Sequence, residues 1–306
     1  MTFVAHYREG RLSRLVLGTA QLGFSYGIAN RGGKPDPATV TRVLDAAANR
    51  GIAVLDTAPS YGDSEAALGA YRTAHPARPF LIVTKLPPET DVRSRAAVLE
   101  AVQRSKTRLG GAFSGMLLHD PSHMDSWEGG LGRALGECLD RGDFECAGVS
   151  VYTPEEFARA LRIEQIQIIQ APFNVLDRRL YTSGLLSRAE RAGRIVFLRS
   201  VYLQGLLLMD PASLPSRMRF ARPALQRWHA LCNELGLGPA AAALKYAREV
   251  SGRSLLIVGC ETPKQVEANA NLFERNGLPK AAIEAINALP LGEDRVIDPR
   301  LWPKEQ

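Results

Sequence analysis

Four side chains able to donate, hold or steer a proton stand just after short apolar runs of the chain: Asp56, Tyr61, Lys85 and His119. Asp56 and Tyr61 belong to the stretch Asp56-Thr57-Ala58-Pro59-Ser60-Tyr61-Gly62, Lys85 follows Thr84, and His119 precedes Asp120. Taken singly, each has an ordinary reading. An aspartate after a strand can be a cap or an ion-pair partner, a Tyr-Gly pair a turn, a lysine a solvated or Schiff-base amine, and a histidine a hydrogen-bonded core residue. Together they suit reduction of a carbonyl group. A carbonyl that accepts a hydride needs an acid to protonate its oxygen, and a tyrosine of ordinary pKa near 10 is poorly matched to neutral pH. A neighbouring ammonium would stabilise the phenolate and lower that pKa, an aspartate would keep the ammonium charged and in place, and an imidazole would orient and polarise the carbonyl. The pattern therefore assigns Tyr61 as general acid/base, Lys85 as its tuner, Asp56 as anchor and His119 as orienting group.

These residues need a scaffold that brings the ends of successive strands together. Eight short apolar runs recur along the chain: 15–17, 53–55, 80–83, 116–118, 147–149, 166–169, 195–198 and 255–258. Stretches of helical spacing lie between them, including 38–49, 92–109, 127–141, 154–161 and 223–235. Val40, Val43, Leu44 and Ala47 fall on one helical face. Thr153-Pro154-Glu155-Glu156 and Thr262-Pro263 read as helix starts, with a capping hydroxyl followed by proline. Repeated strand–helix units over this length predict an α/β fold of one domain, a (β/α)8 TIM barrel whose functional groups gather at the carboxyl ends of the strands. The competing doubly wound sheet would carry a G-x-G-x-x-G turn after an early strand. Gly18-Thr19-Ala20-Gln21-Leu22-Gly23 lacks that spacing.

Composition narrows the function classes. The 306 residues carry a net charge of +6, and no block of like charges stands out. This predicts an ordinary solvated surface and no nucleic-acid partner. No apolar run reaches the length of a membrane span, and residues 1–10 lack a signal peptide's apolar core, so a cytoplasmic protein is expected. Cys138, Cys146, Cys232 and Cys260 are far apart and form no C-x-x-C pair, which argues against a disulfide framework and a structural zinc.

With the motifs Asp56-Thr-Ala-Pro-Ser-Tyr61-Gly-Asp-Ser-Glu65, Thr84-Lys85 and Leu117-Leu118-His119 in hand, the chain resembles the aldo-keto reductase family over residues 18–269. The resemblance implies a (β/α)8 barrel, an NAD(P)H cofactor and no metal. It also implies cofactor contacts: Gly18 and Thr19 after the first run, Ser150 and Gln170 at the nicotinamide amide, and Ser200 with the backbone around Gly205 at the pyrophosphate. Gly259, Lys264, Gln265 and Asn269 would receive the adenosine end. Val151 stands where many members have asparagine. Arg199 stands where many have a tyrosine that stacks on nicotinamide; its guanidinium suits either stacking on an aromatic ring or pairing with an acid. NADP is the family's usual cofactor, yet Glu261 beside Lys264 would repel a 2′-phosphate, so NAD stays open.

Substrate contacts are expected from Phe24, Tyr26, Trp127 and Tyr152, with an aldehyde, ketone or aldose as substrate. Residues 289–306 read as a short C-terminal extension without a long specificity loop, which would leave the pocket open, and the protein is expected to be a monomer or weak homo-oligomer. Three other functions fit parts of the pattern. A redox-sensing barrel subunit would bind cofactor with incidental turnover, a Schiff-base lyase would use Lys85, and a metal hydrolase would draw on His119, Asp120, His123 and Asp56.

Overall fold

The computed structural model describes residues 3–303 of the chain. Eight parallel strands close into a barrel in sequence order: β1 (Leu15–Gly18), β2 (Val54–Asp56), β3 (Leu81–Leu86), β4 (Phe113–Leu118), β5 (Phe144–Ser150), β6 (Ile166–Pro172), β7 (Ile195–Arg199) and β8 (Leu255–Gly259). β8 closes on β1 through pairs such as Leu15 with Leu256 and Gly18 with Gly259. All eight apolar runs became strands, with ends moved by a few residues.

Alternation along each strand divides the core in two. Val16, Val54, Val83, Leu117, Ile168, Phe197 and Leu255 fill the barrel interior, whereas Leu17, Leu55, Ile82 and Leu118 face the helices. The short helix Phe3–Arg8 closes one end of the interior, with the Phe3 ring 6.2 Å from that of Phe197. The helix Pro37–Asn49 buries Val40, Val43, Leu44 and Ala47 as its spacing predicts, and the Asp36 side chain accepts from Thr39 N at its start. Both proline-led starts, at Thr153 and Thr262, form full capping boxes with Glu156 and Gln265. The stretch 127–141 differs from a continuous helix: a wide turn over Trp127–Leu131 precedes the helix Gly132–Asp140, and Gly130 breaks the ladder with φ 128°.

Two features shape the rim that carries the candidate site. Between β7 and the helix Arg222–Glu234 the chain runs in short 3-10 turns, and Ser200, Leu203 and Gln204 hold left-handed backbone, φ 63°, 50° and 54°. Non-glycine residues rarely adopt that conformation unless the surroundings fix it. The C-terminal segment folds back over the barrel, anchored by buried Arg178, which donates to the carbonyls of Asn287 and Leu289. No helix of the described residues is long and apolar enough to cross a membrane.

Candidate active site

The centre is a buried ion pair at the ends of β2 and β3. Lys85 Nζ donates to Asp56 Oδ1 at 2.8 Å and to the Thr57 carbonyl at 2.9 Å. Gln170 Nε2, from β6, donates to the same Asp56 oxygen at 2.6 Å. Lys85 is only 1% exposed, so its charge survives through these contacts. Burial lowers its pKa, with the Asp56 carboxylate acting in the opposite direction.

Tyr61 lies directly over this pair, with Lys85 Nζ 4.9 Å from its ring centroid. Its turn is fixed by contacts that leave little room. A Cβ on Gly23 would lie 1.6 Å from the Tyr61 carbonyl oxygen, so no larger residue fits there without moving the tyrosine backbone. A buried hydroxyl chain holds the same turn: Ser64 Oγ donates to Thr19 Oγ1 at 2.7 Å and lies 3.0 Å from Thr57 Oγ1, and Thr19 Oγ1 donates to the Asp56 carbonyl at 2.9 Å. Glu65, also buried, accepts from Thr84 Oγ1 at 2.7 Å and ties the tyrosine motif to β3. Residues 64 and 65 lie inside the sequence motif, but their locking role is visible only in the contacts.

His119 stands edge-on to Tyr61, ring centroids 6.2 Å apart at 88°, and its Nδ1 lies 3.4 Å from Ser60 Oγ. Burial first, then the charges of Lys85 and Arg199, press its pKa down to about 3, so the imidazole is neutral at physiological pH. The phenol of Tyr61 moves the other way: burial and then the Asp56 carboxylate raise it, with Arg199 opposing. The tuning expected of Lys85 does not outweigh that rise, which burial dominates. The ammonium is engaged by Asp56 and Thr57.

Two cavities meet here. The first, of about 210 Å³, runs from Asp56 and Tyr61 to the start of the helix Pro263–Glu274. Gly18, Thr19, Tyr26, Arg199, Ser200, Gly205, Gly259 and Gln265 all line it. Its outer wall forms where the loop after β1 packs on the left-handed turn after β7: a Cβ on Gly205 would lie 2.5 Å from Ala29 Cβ. Gln21, Asn30, Gln204 and Glu261 line it as well, and of these only Glu261 stands out in the sequence motifs. The second cavity, of about 550 Å³, is lined by His119, Tyr152, Asp125, Arg159 and Arg300 among others. Arg300 comes from the C-terminal segment, which therefore contributes to the wall of this cavity. Phe24 flanks Tyr61, ring centroids 6.4 Å apart, and packs edge-on against Tyr26.

Several expected contact residues are placed otherwise. Trp127 is buried in the core, 5% exposed and seated against Gly132, and does not reach either cavity. Ser150 and Gln170 are buried and bond each other, Ser150 Oγ donating to Gln170 Oε1 at 3.4 Å. Lys264 is exposed and outside the lining. Gln265 lines the cavity, but its Oε1 accepts from the backbone of Glu261 at 2.6 Å as part of the helix cap. Asn269 accepts from the Tyr202 hydroxyl at 2.7 Å and donates to Cys260 Sγ. Arg199 stacks on an aromatic ring, that of Tyr152, with Cζ 4.4 Å from the centroid. His123 is buried in the turn after β4, and among the described residues no group of three or more His, Cys, Asp or Glu side chains is placed to hold a metal. All four cysteines are buried and free.

The first cavity fits a dinucleotide by the chemistry at its two ends. A proton-donating side chain stands at one end, and at the other stands the capped start of the helix Pro263–Glu274, where Glu261 and Gln265 offer polar groups suited to ribose hydroxyls. Glycines 18 and 259 line its floor, and the Gln21 side-chain amide packs against Gly259 in the space an added Cβ would need.

Known proteins agree with this architecture. A D-threo-aldose 1-dehydrogenase of a Pseudomonas species is 26% identical over 267 residues, which cover 74% of this chain and 81% of that protein. Pyridoxal 4-dehydrogenase of Microbacterium luteolum is 26% identical, covering 87% of this chain and 90% of its own. Among solved structures, an aldo-keto reductase from Bacillus halodurans in its holo form superposes with a TM-score of 0.72 at 22% identity, covering 95% of each chain. The glycerol dehydrogenase of Gluconobacter oxydans gives 0.71 at 22% identity, covering 96% of this chain and 94% of its own. These two likenesses bear on the fold. The model of the aldo/keto reductase family matches residues 14–290, and the chain belongs to that family.

Proposed function

We propose that the protein is an NAD(P)-dependent oxidoreductase that interconverts a carbonyl compound and an alcohol, with Tyr61 as general acid/base. The observation that carries this reading is the stacked arrangement of Asp56, Lys85 and Tyr61 with the neutral imidazole of His119 at its edge. When bound, the nicotinamide would supply or accept the hydride. Tyr61 would give its phenolic proton to the carbonyl oxygen as negative charge develops there. Burial keeps the phenol protonated through neutral pH, the form that can donate to the carbonyl oxygen, while the Arg199 charge opposes the rise in its pKa. Neutral His119 would hydrogen-bond the same oxygen and fix its orientation without adding a second positive charge. Asp56, itself held by Gln170, and the Thr57 carbonyl keep Lys85 beneath the ring, and the turn locked by Gly23 and Ser64 holds Tyr61 above it.

Gly18, Thr19, Ser200, Gly205 and Gly259 would hold the cofactor along the first cavity. Glu261 lines that cavity at the helix start whereas Lys264 does not, which supports NAD use beside NADP. The aldose and pyridoxal dehydrogenases among the relatives support an aldehyde, ketone or sugar substrate. Turnover of a carbonyl and sugar panel with NADH and with NADPH, followed by nicotinamide absorbance, tests the reading. Cofactor-dependent reduction of several members supports it, and absence of turnover with either cofactor contradicts it.

A further inference from the structure

Two guanidinium groups share one aromatic ring where the cavities meet. Arg199 Cζ lies 4.4 Å and Arg300 Cζ 3.5 Å from the centroid of Tyr152. Their charges are balanced differently. Asp298 grips Arg300 in a fork, with Nη2 2.6 Å from Oδ2 and Nε 2.9 Å from Oδ1. Arg199 has neutral partners: Nη2 donates to the Val151 carbonyl at 3.1 Å and Nη1 lies 3.5 Å from the Ser200 hydroxyl. Among the described residues no carboxylate forms an ion pair with it.

A guanidinium does not shed its proton in a protein, so this half-buried cation stays charged with no carboxylate in direct contact, and Asp298, already engaged by Arg300, acts on it from further away. Its field reaches the reacting groups, opposing protonation of His119 and favouring ionisation of Tyr61. The carboxylates of the second cavity are engaged elsewhere. Asp120 accepts from the Ser122 backbone N–H at 2.8 Å, Asp125 pairs with Arg159 at 2.5 Å, and Glu156 accepts from the Tyr152 backbone N–H at 2.7 Å. Arg199 lines the first cavity beside Tyr61, while its stacking partner Tyr152 lines the second beside His119.

Building on the carbonyl chemistry proposed above, we infer that Arg199, with Arg300 on the same ring, binds an oxyanion carried by the substrate and so selects anionic carbonyl compounds over neutral ones. The recognised group is a carboxylate or a phosphate, both of which accept the two parallel hydrogen bonds that a guanidinium offers. Tyr152 and Arg300 line the second cavity and not the first, so the stacked cluster reaches the His119 side of the site, with Arg199 on the wall of the first cavity beside Tyr61.

The test compares kcat/KM for two matched pairs, 4-carboxybenzaldehyde with benzaldehyde and glyceraldehyde 3-phosphate with glyceraldehyde, in wild type, Arg199→Gln and Arg300→Gln. Dissociation constants for NADH and NADPH are measured on the same proteins by fluorescence, and for benzoate, inorganic phosphate and neutral benzamide by calorimetry. The inference expects wild type to favour the charged member of at least one pair by about tenfold to a hundredfold, the range of a charge-assisted hydrogen bond, and Arg199→Gln to bring the ratio close to one. Which pair responds separates carboxylate from phosphate. A wild-type ratio near one overturns it. So does an unchanged ratio in Arg199→Gln accompanied by weakened dinucleotide binding, which would assign Arg199 to the cofactor. If no carbonyl is turned over, the proposed activity falls, and calorimetry decides the anion site alone. Anion binding lost in Arg199→Gln supports the site, and anion binding absent from wild type or unchanged in the variant overturns it.

Discussion

Replacing Asp56 by asparagine keeps the shape of the buried centre and removes its negative charge. Lys85 would then be an ammonium that is 1% exposed, with only neutral acceptors, the Thr57 carbonyl and the introduced amide oxygen, and no opposing charge. Breaking a buried pair by removing one partner typically costs about 3–5 kcal/mol. Lys85 can escape by losing its proton, and that escape sets a ceiling on the cost. Relative to an ordinary lysine of pKa about 10.4, neutralisation costs about 1.4 kcal/mol per pH unit, hence ~5 kcal/mol at about pH 7 and ~2 kcal/mol at about pH 9. The sign follows from proton uptake. Burial already lowers the folded-state pKa of Lys85, and loss of Asp56 lowers it further. Between that value and the unfolded value the unfolded chain binds more protons, so stability rises with pH, and in the variant this window extends further down. For a chain of this size 1 kcal/mol shifts Tm by roughly 2–3 °C. Thermal unfolding followed by circular dichroism should therefore show Asp56→Asn lower than wild type by about 10 °C near pH 7 and by about 5 °C near pH 9. An equal loss at both pH values, or a loss below about 1 kcal/mol, would refute the account of a charged lysine held by this carboxylate.

Other expectations bear on neighbouring parts of the site. Gly23→Ala places a Cβ against the Tyr61 carbonyl and should cost about 3 kcal/mol while depressing turnover, measured by denaturant unfolding and steady-state kinetics. Because burial and the charges of Lys85 and Arg199 push the His119 pKa down to about 3, the pH profile of kcat/KM for reduction should show no inflection near the ordinary histidine value, and a His119-dependent step at about pH 6.5 would contradict its neutral role. Glu261→Gln should tighten NADPH about fivefold and leave NADH nearly unchanged in fluorescence titrations, as expected for removing one partly screened like charge from the cavity wall.

The strands were legible because each is a short, buried, apolar run bounded by polar segments, and the barrel followed from their alternation with helices. The four proton-handling residues were legible for a related reason. Parallel strands in a barrel end on one rim, so residues just past strand ends become neighbours. The rim itself was harder to read. Left-handed backbone at Ser200, Leu203 and Gln204 leaves no compositional trace, because none of the three is glycine. Arg300 reaches Tyr152 across nearly half the chain, a contact fixed by how Arg178 anchors the C-terminal segment and not by any local pattern. Trp127 shows the opposite error: an aromatic after a strand looks like a pocket wall, but the wide turn that carries it rotates the ring into the core. Ser150 and Gln170 follow the family motif, yet both are buried and bonded to each other, a detail that spacing does not convey.

The central claim is that Tyr61 delivers the proton to the substrate oxygen. It is tested most directly by measuring the single-turnover rate of carbonyl reduction in wild type and Tyr61→Phe, with cofactor affinity determined on both proteins. Phenylalanine keeps the ring above Lys85 and removes the hydroxyl alone, so the rate should fall by about 10²–10⁴ while the cofactor dissociation constant stays within a few-fold. A variant that reduces carbonyl substrate at the wild-type rate would contradict the account.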